Sequence, residues 1–319
     1  MIIKTFDNGW GTEYPAKRFE QELVISMLKT ELNDHCKTVM INSVWYTQEY
    51  HQQVLAYLEQ HQPDRIILVA MLDAAIPKPE WFTCKDIVTA GYYSGKYELD
   101  YWALLMDKYF SKLPEPTPAN LIDRAYMCLN RKPHWHRMRL YKRLDALGLL
   151  DHGMVSMGSE SGPALRTLDN DTINDNLAPN AGTDHYGIPN DLTTVGNMQH
   201  WQRCFINVVT ETVFDIDSAN FVSEKIYKPI VGCRPFFVFA PNGASNWLHK
   251  RGFETYLKDF ADITDLDPAI PEQLPQVLLA ISQQPNLYWQ KKYVELKEKI
   301  LYNRNRFDIY AQEQWKKVN

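Results

Sequence analysis

Several charged side chains in the second half of this 319-residue chain sit just beyond apolar runs that read as strands. The run Ala125–Leu129 leads into Asn130, Arg131 and Lys132, with Arg137 in the first turn of the helix that follows. The run Phe205–Val209 leads to Glu211, and a loop before a short helix carries Glu224 and Lys225. If these strands are parallel, the groups converge on one carboxyl edge, where open α/β sheets bind their ligands. A guanidinium there can hold a diphosphate in bidentate fashion, and an ammonium adds a point charge. A carboxylate beside them accepts from ribose or sugar hydroxyls. Together these residue types describe a nucleotide-sugar site. The same residues also fit three unrelated surface ion pairs.

The stretch from Phe221 to Pro241 must position the last of these groups. It reads as a loop, a short helix and a buried strand. Ser223 is placed to cap the helix, which puts Glu224 and Lys225 in its first turn. Gly232 ends the helix, and Pro235 leads into the apolar run from Phe236 to Ala240. Glu224 would also serve as a simple partner of the helix dipole. Arg137 shares a helical stripe with Leu140, Tyr141 and Leu144, so its stem faces inward.

Strand and helix alternate through the first half. Residues 2–6, 38–41, 65–71 and 87–90 read as strands, and 16–32, 48–60 and 99–110 as helices. Arg65–Met71 is a continuous apolar run of the kind buried on both faces of a parallel sheet. The alternation predicts a doubly wound α/β domain. Pro114, Pro116 and Pro118 interrupt it and mark a boundary. The expected organisation is residues 1–118, residues 119–286 and a C-terminal helix from 287 that packs back toward the first domain. In the second half, 133–147, 243–248 and 271–282 read as further helices and 154–157 as a strand. Residues 158–199 are polar and aperiodic, the mark of a functional or mobile loop.

Composition narrows the class. Hydrophobic residues make up 45% and charged residues 23%, as in ordinary soluble globular proteins. The net charge of −5, with Lys and Arg widely spread, argues against a dedicated nucleic-acid binder. Five cysteines lie far apart without a CxxC pair, which fits a reducing compartment rather than a disulfide framework. Met1 to Lys4 meets Asp7 too soon for a signal peptide, and no apolar run approaches the roughly 20 residues that span a bilayer. The expectation is a soluble cytoplasmic enzyme, bacterial or viral-encoded.

Other motifs are sparse. There is no GxGxxG, P-loop or HExxH. His134 and His136 form a possible metal pair without an evident third ligand. Asp215 and Asp217 form a DxD, a pattern found in enzymes that hold a nucleotide diphosphate through a metal; a pair of loop acids has the same spacing.

Val209-Thr-Glu-Thr212, Phe221-Val-Ser-Glu-Lys225 and the helix from Arg137 to Leu144 together resemble the α1,3-fucosyltransferases of glycosyltransferase family 10, over residues 125–255. There are departures: Phe221 stands where those enzymes usually have Tyr, Thr210 replaces a Phe, and Thr212 follows Glu211 without the usual Asn. The resemblance implies a GT-B architecture, two Rossmann-like domains facing across a cleft, with the C-terminal one holding the donor. It implies an inverting, metal-independent transfer of a sugar, GDP-fucose being the best-fitting donor, to a glycan or other hydroxyl acceptor. No cofactor is required. By the same resemblance Arg137 contacts the diphosphate, Lys225 the phosphates, and Glu211 and Glu224 the ribose or transferred sugar, with Asn130, Phe221 and Ser223 in the donor pocket. An N-terminal carboxylate would deprotonate the acceptor. Asp73, closing the strongest strand of that half, is the candidate, with Glu98 and Asp100 as alternatives. Trp10, Tyr92, Tyr93 and the 158–199 loop are the expected acceptor contacts.

Overall fold

The computed structural model describes residues 3–6, 38–42, 65–70, 86–91, 99–100, 103, 107, 118–130, 132–159, 164–168, 198–212, 214, 222–240 and 244–318. For the strands before Asp100 the description is of backbone alone. The chain divides into two compact units, Met1–Lys108 with Ala311–Asn319, and Tyr109–Tyr310. The divisions expected from the sequence fell at 118 and 286.

In the first unit, β1 (Ile3–Phe6), β2 (Thr38–Asn42), β3 (Arg65–Ala70), β4 (Asp86–Gly91) and β5 (Leu99–Asp100) form one parallel sheet. Its order is sequential, β1-β2-β3-β4-β5. This corrects the doubly wound expectation, because among the described strands the order never reverses. A continuous apolar run specifies burial on both faces and leaves the choice of neighbour open. The expected helix at 99–110 also begins later. Leu99 and Asp100 pair in parallel with Ala90 and Gly91, and residues 103 and 107 are helical. Asp100 makes the switch: its Oδ1 accepts the Ala103 N–H at 3.1 Å, as a capping aspartate does.

In the second unit, β6 (Arg124–Asn130), β7 (Gly153–Met157), β8 (Cys204–Thr210) and β9 (Phe236–Phe239) are parallel. Their order is β7-β6-β8-β9. The chain therefore steps from β6 to one side, then returns to build β8 on the other. A topological switch point lies between β6 and β8, the Rossmann-like arrangement that opens a crevice beyond two adjacent carboxyl ends. Every residue of β8 is buried, as a central strand covered on both faces requires.

Helices cover this sheet: α1 (Trp135–Ala146), α2 (Met198–Arg203), α3 (Tyr227–Val231), α4 (Ala244–Lys250), α5 (Leu274–Ser282), α6 (Asn286–Glu295) and α7 (Lys297–Val318). The core joins Met127 and Cys128 of β6, Phe205 and Ile206 of β8, and Phe237 of β9 to Leu144 of α1 and Val277, Leu278 and Ile281 of α5. Gly148, at φ +66°, ends α1, and the Leu149 N–H returns to the Leu144 carbonyl in a Schellman-type closure.

The single helix expected from Leu287 is two. Leu296 separates α6 from α7, with dihedrals close to helical (φ −82°, ψ −3°). Its N–H still bonds the Lys292 carbonyl, and its own carbonyl accepts from Ile300. The apolar period thus runs through the break, and no Gly or Pro marks it. The last residues of α7 belong to the first unit, where Trp315 Nε1 donates to Asp107 Oδ2 and Gln314 Oε1 accepts the Asp100 N–H.

Between α3 and β9 the chain turns tightly. Gly232 follows α3 at φ −79°, and it is Cys233 that takes the positive φ, at 52°. Gly232 is required for space: a Cβ there would stand 2.6 Å from the buried Trp201 ring and 2.9 Å from the Lys228 carbonyl. Gly232→Ala should therefore destabilise the second unit by about 1–3 kcal/mol, the usual cost of overpacking, read from the urea midpoint. A variant as stable as the parent would show that Trp201 yields freely.

Candidate functional site

The charged groups singled out in the sequence gather at the β6/β8 switch point, linked by hydrogen bonds. Asn130, the last residue of β6, is buried. Its Oδ1 accepts from Thr210 Oγ1, which ties the ends of β6 and β8 together, and its Nδ2 donates to Cys128 Sγ at 3.3 Å. Arg137 of α1 is only 4% exposed. Its Nη2 donates to the carbonyls of Thr210 and Glu211, both at 3.1 Å, and its Nη1 to the Lys132 carbonyl at 3.3 Å. The neighbouring His136 donates through Nε2 to the same Glu211 carbonyl at 2.8 Å. The first turn of α1 thus clamps the chain leaving β8.

The Glu211 side chain makes the second link. It is wholly buried, and its carboxylate accepts the Ser223 N–H at 3.1 Å and the Ser223 hydroxyl at 2.6 Å. Ser223 was expected to cap a helix. It makes no side-chain capping bond, because its hydroxyl is turned to Glu211 instead. One turn of 3-10 helix, Glu224–Ile226, follows and runs directly into α3. Lys225 Nζ donates to Glu224 Oε1 at 2.6 Å, Thr212 Oγ1 at 3.0 Å and Ser223 Oγ at 3.1 Å.

The two carboxylates differ electrostatically. Burial pushes the Glu211 carboxyl above its ordinary value, against the pull of Lys225 and the Ser223 hydrogen bonds. Burial also pushes Glu224 upward. There the Lys225 and Lys228 charges and the hydrogen bonds together outweigh it, and the carboxyl lies below its ordinary value. Both acids are enclosed by the fold. Lys225 is a quarter exposed at its side chain.

His134, at the N-terminal end of α1, reveals what else meets here. Its ring is half-buried and stacks on His136, with centroids 5.8 Å apart. Burial lowers its pKa, followed by the charges of Arg137, His136, Lys132 and Lys225, and the value falls to about 4. Three cations, from the β6–α1 loop, α1 and the 3-10 turn, thus act on one imidazole. Phe214 stacks on both His136 and Phe239, each at 5.0 Å, and braces this corner against β9.

The structure therefore brings together Asn130, Lys132, Arg137, Glu211, Ser223, Glu224 and Lys225. Asp100 lies in the first unit, with its carboxylate on the Ala103 N–H. Asp73, Glu98, Phe221, Arg131, Asp215, Asp217, Trp10, Tyr92 and Tyr93 lie outside the described residues, as does most of 158–199. His134 entered the sequence reading only as half of a metal pair. After burial, charges from three segments lower its pKa. Among the described residues no three His, Cys, Asp or Glu side chains are grouped to hold a metal, and no helix is long and apolar enough to cross a membrane.

No family model matches the chain, and no curated protein matches it. Among solved structures, an α1,3-fucosyltransferase crystallised with GDP-fucose is similar to it at 13% identity, with a TM-score of 0.33, over 85% of this chain and 92% of that one. At that score the likeness carries no argument about this chain.

Two outcomes test the geometry. Glu211→Ala leaves the buried Ser223 N–H without its acceptor and should cost about 1–3 kcal/mol in urea denaturation. Glu224 has a folded pKa below its unfolded one. Its contribution to stability is therefore present above the unfolded value of 4.5 and fades as pH falls through the folded value. Glu224→Gln should lose stability at pH 7 and show a shallower decline below pH 4.5 than the parent. An unchanged acid limb would mean that Glu224 is not held by Lys225 and Lys228.

Proposed function

We propose that the protein is a glycosyltransferase that uses a nucleoside-diphosphate sugar as donor, without a metal and with inversion at the transferred sugar. The observation that carries this reading is the gathering of Lys132, Arg137 and Lys225 about the chain leaving β8, residues 210–212, at the switch point of a parallel sheet, while Glu211 and Glu224 are enclosed. A site of this kind favours an anion. It lies at the N-terminus of the 12-residue α1, whose dipole adds to the positive field.

In this reading the donor diphosphate lies against Lys132, Lys225 and the start of α1. These groups receive the charge that grows on the leaving diphosphate as the bond to the sugar breaks, and they are in place beforehand, so little reorganisation accompanies the step. Arg137 reaches the diphosphate with whatever donor capacity its bonds to Thr210, Glu211 and Lys132 leave, and otherwise positions the strand end. Glu211 positions Ser223 and Lys225, and Glu224 fixes the Lys225 ammonium. Asn130 and Phe221 complete the donor pocket, and GDP-fucose is the donor proposed first. An acceptor hydroxyl loses its proton to a carboxylate, Asp73 in this proposal and Glu98 as its alternative. The acceptor is a glycan or another hydroxyl compound.

A thermal-shift series with GDP, UDP, CDP and ADP, each with EDTA, tests the reading. A ligand that binds only the folded state raises the melting temperature, and GDP should do so most. Lys225→Ala, which leaves Arg137 and its carbonyl bonds in place, should weaken that nucleotide about tenfold or more. That matches the loss of one charge-assisted hydrogen bond of about 1.5–3 kcal/mol. If none of the four nucleotides shifts the melting temperature, the reading fails.

A further inference from the structure

Trp135 opens α1 and is 58% exposed, more than any other described Trp, Tyr or Phe. A single exposed apolar side chain is ordinary at a protein surface. Trp135 differs because the pose of its ring is fixed. His136 and Phe214 stack with centroids 5.0 Å apart and planes 14° from parallel, and Phe214 stacks in turn on Phe239 of β9. The indole stands perpendicular to both, at 84° to His136 and 87° to Phe214, with centroids 5.6 and 5.5 Å away. A ring at right angles to two stacked rings, and touching both, meets their edges with its own face, the T-shaped contact that aromatic pairs favour. One indole face is therefore seated on the stack and the other is turned out, which accounts for the exposure.

The segment that seats the indole also holds the cations. Arg137 Nη2 donates to the Thr210 and Glu211 carbonyls, Lys225 Nζ donates to Thr212 Oγ1, and Phe214 supports Trp135. Thr212 and Phe214 are two residues apart, so their Cα atoms lie within about 7 Å of each other. We propose that Trp135 is the stacking platform for the base of a nucleoside diphosphate whose phosphates lie against Lys132 and Lys225. This rests on the reading of the corner as a diphosphate site and adds the residue that holds the other end of the ligand. The two ends of such a ligand need different surfaces: fixed positive charge for the phosphates, and a flat apolar face for the base. Both are attached here to one short run of chain. Every base has a π-face, so Trp135 supplies affinity for the nucleoside and leaves the choice of base to other contacts. Because His136 and Phe214 already fix the indole, little side-chain freedom is lost when the base arrives.

Isothermal titration of the full chain with GDP and with inorganic pyrophosphate separates the two ends, since pyrophosphate carries charge and no base. Trp135→Ala and Trp135→Leu should each bind GDP about tenfold more weakly than the parent, the scale of losing one stacked base, and bind pyrophosphate as the parent does. Trp135→Phe, which restores a π-face, should recover most of the GDP affinity. Melting temperatures report whether the variants are folded. If Trp135→Ala is not, Trp135→Leu, which keeps apolar bulk against Phe214, carries the comparison. Parental GDP affinity in the folded Ala or Leu variant would overturn the proposal. So would an equal loss for GDP and pyrophosphate, which would place the effect on the cations instead. A loss seen with GDP-fucose and not with GDP would assign the indole to the sugar and overturn it as well. A parent that holds pyrophosphate as tightly as GDP gains nothing from a base; the proposal then fails while the diphosphate reading stands. If the parent binds neither ligand, the diphosphate reading itself fails and this inference falls with it.

Discussion

A carboxylate sealed inside a protein is tolerated only when hydrogen bonds replace the water it has lost, and Glu211 is the place where this chain meets that requirement. Both of its oxygens are taken by Ser223, one through the backbone and one through the hydroxyl. Its carbonyl is taken by Arg137 and His136. One residue at the end of the central strand thus fixes two segments that are distant in sequence: the first turn of α1 and the turn that carries Glu224 and Lys225. The rest of the corner follows. Asn130 and Thr210 bind the strand ends, and Phe214 packs the aromatic side.

The same arrangement separates charge. The chain as a whole is acidic, with a formal charge of −5, yet the switch point presents cations. The reason is how the acids are used. Glu211 faces a serine and Glu224 a lysine, and both are buried. Burial lowers the His134 imidazole first, and among the described residues Arg137, His136, Lys132 and Lys225 add to that lowering. Net charge does not say where cations gather; here the bonding of two glutamates decides it.

How much of this could be read from the sequence depended on whether a property was local. The apolar runs of β6, β8 and β9 and the inward stem of Arg137 follow from burial period, and each stands where periodicity put it. Strand order does not, because apolar runs carry no information about neighbours; the sequential sheet of the first unit differed from expectation for that reason. Ser223 shows the same limit at one residue. Its type and place suited a helix cap, but a buried carboxylate 12 positions earlier in the chain draws its hydroxyl as a donor. His134 entered only as half of a possible metal pair, and only the fold shows that burial and the charges of Arg137, Lys132 and Lys225 act on it. The resemblance of Arg137, Glu211 and the Ser223–Lys225 turn to a donor-binding segment named residues that the structure gathers in one corner. It did not show that Glu211 turns inward.

Arg137 shows how the fold and the proposed ligand chemistry would be joined. A guanidinium that only gripped a ligand would be free to move in its absence. This one is anchored through Nη1 and Nη2 to three main-chain carbonyls, those of Lys132, Thr210 and Glu211. Its charge is held in place by the strand end. Lys225 is held likewise by Glu224, Thr212 and Ser223. Positive charge fixed in advance is the condition under which electrostatic stabilisation of a departing diphosphate is most effective, because no dipoles need to reorient as the charge appears. The cost of that fixing falls on folding, in the burial of two glutamates and an arginine. Substitutions at Arg137 or Glu211 therefore act on fold and site together, whereas Lys225, a quarter exposed, is the position where the two separate.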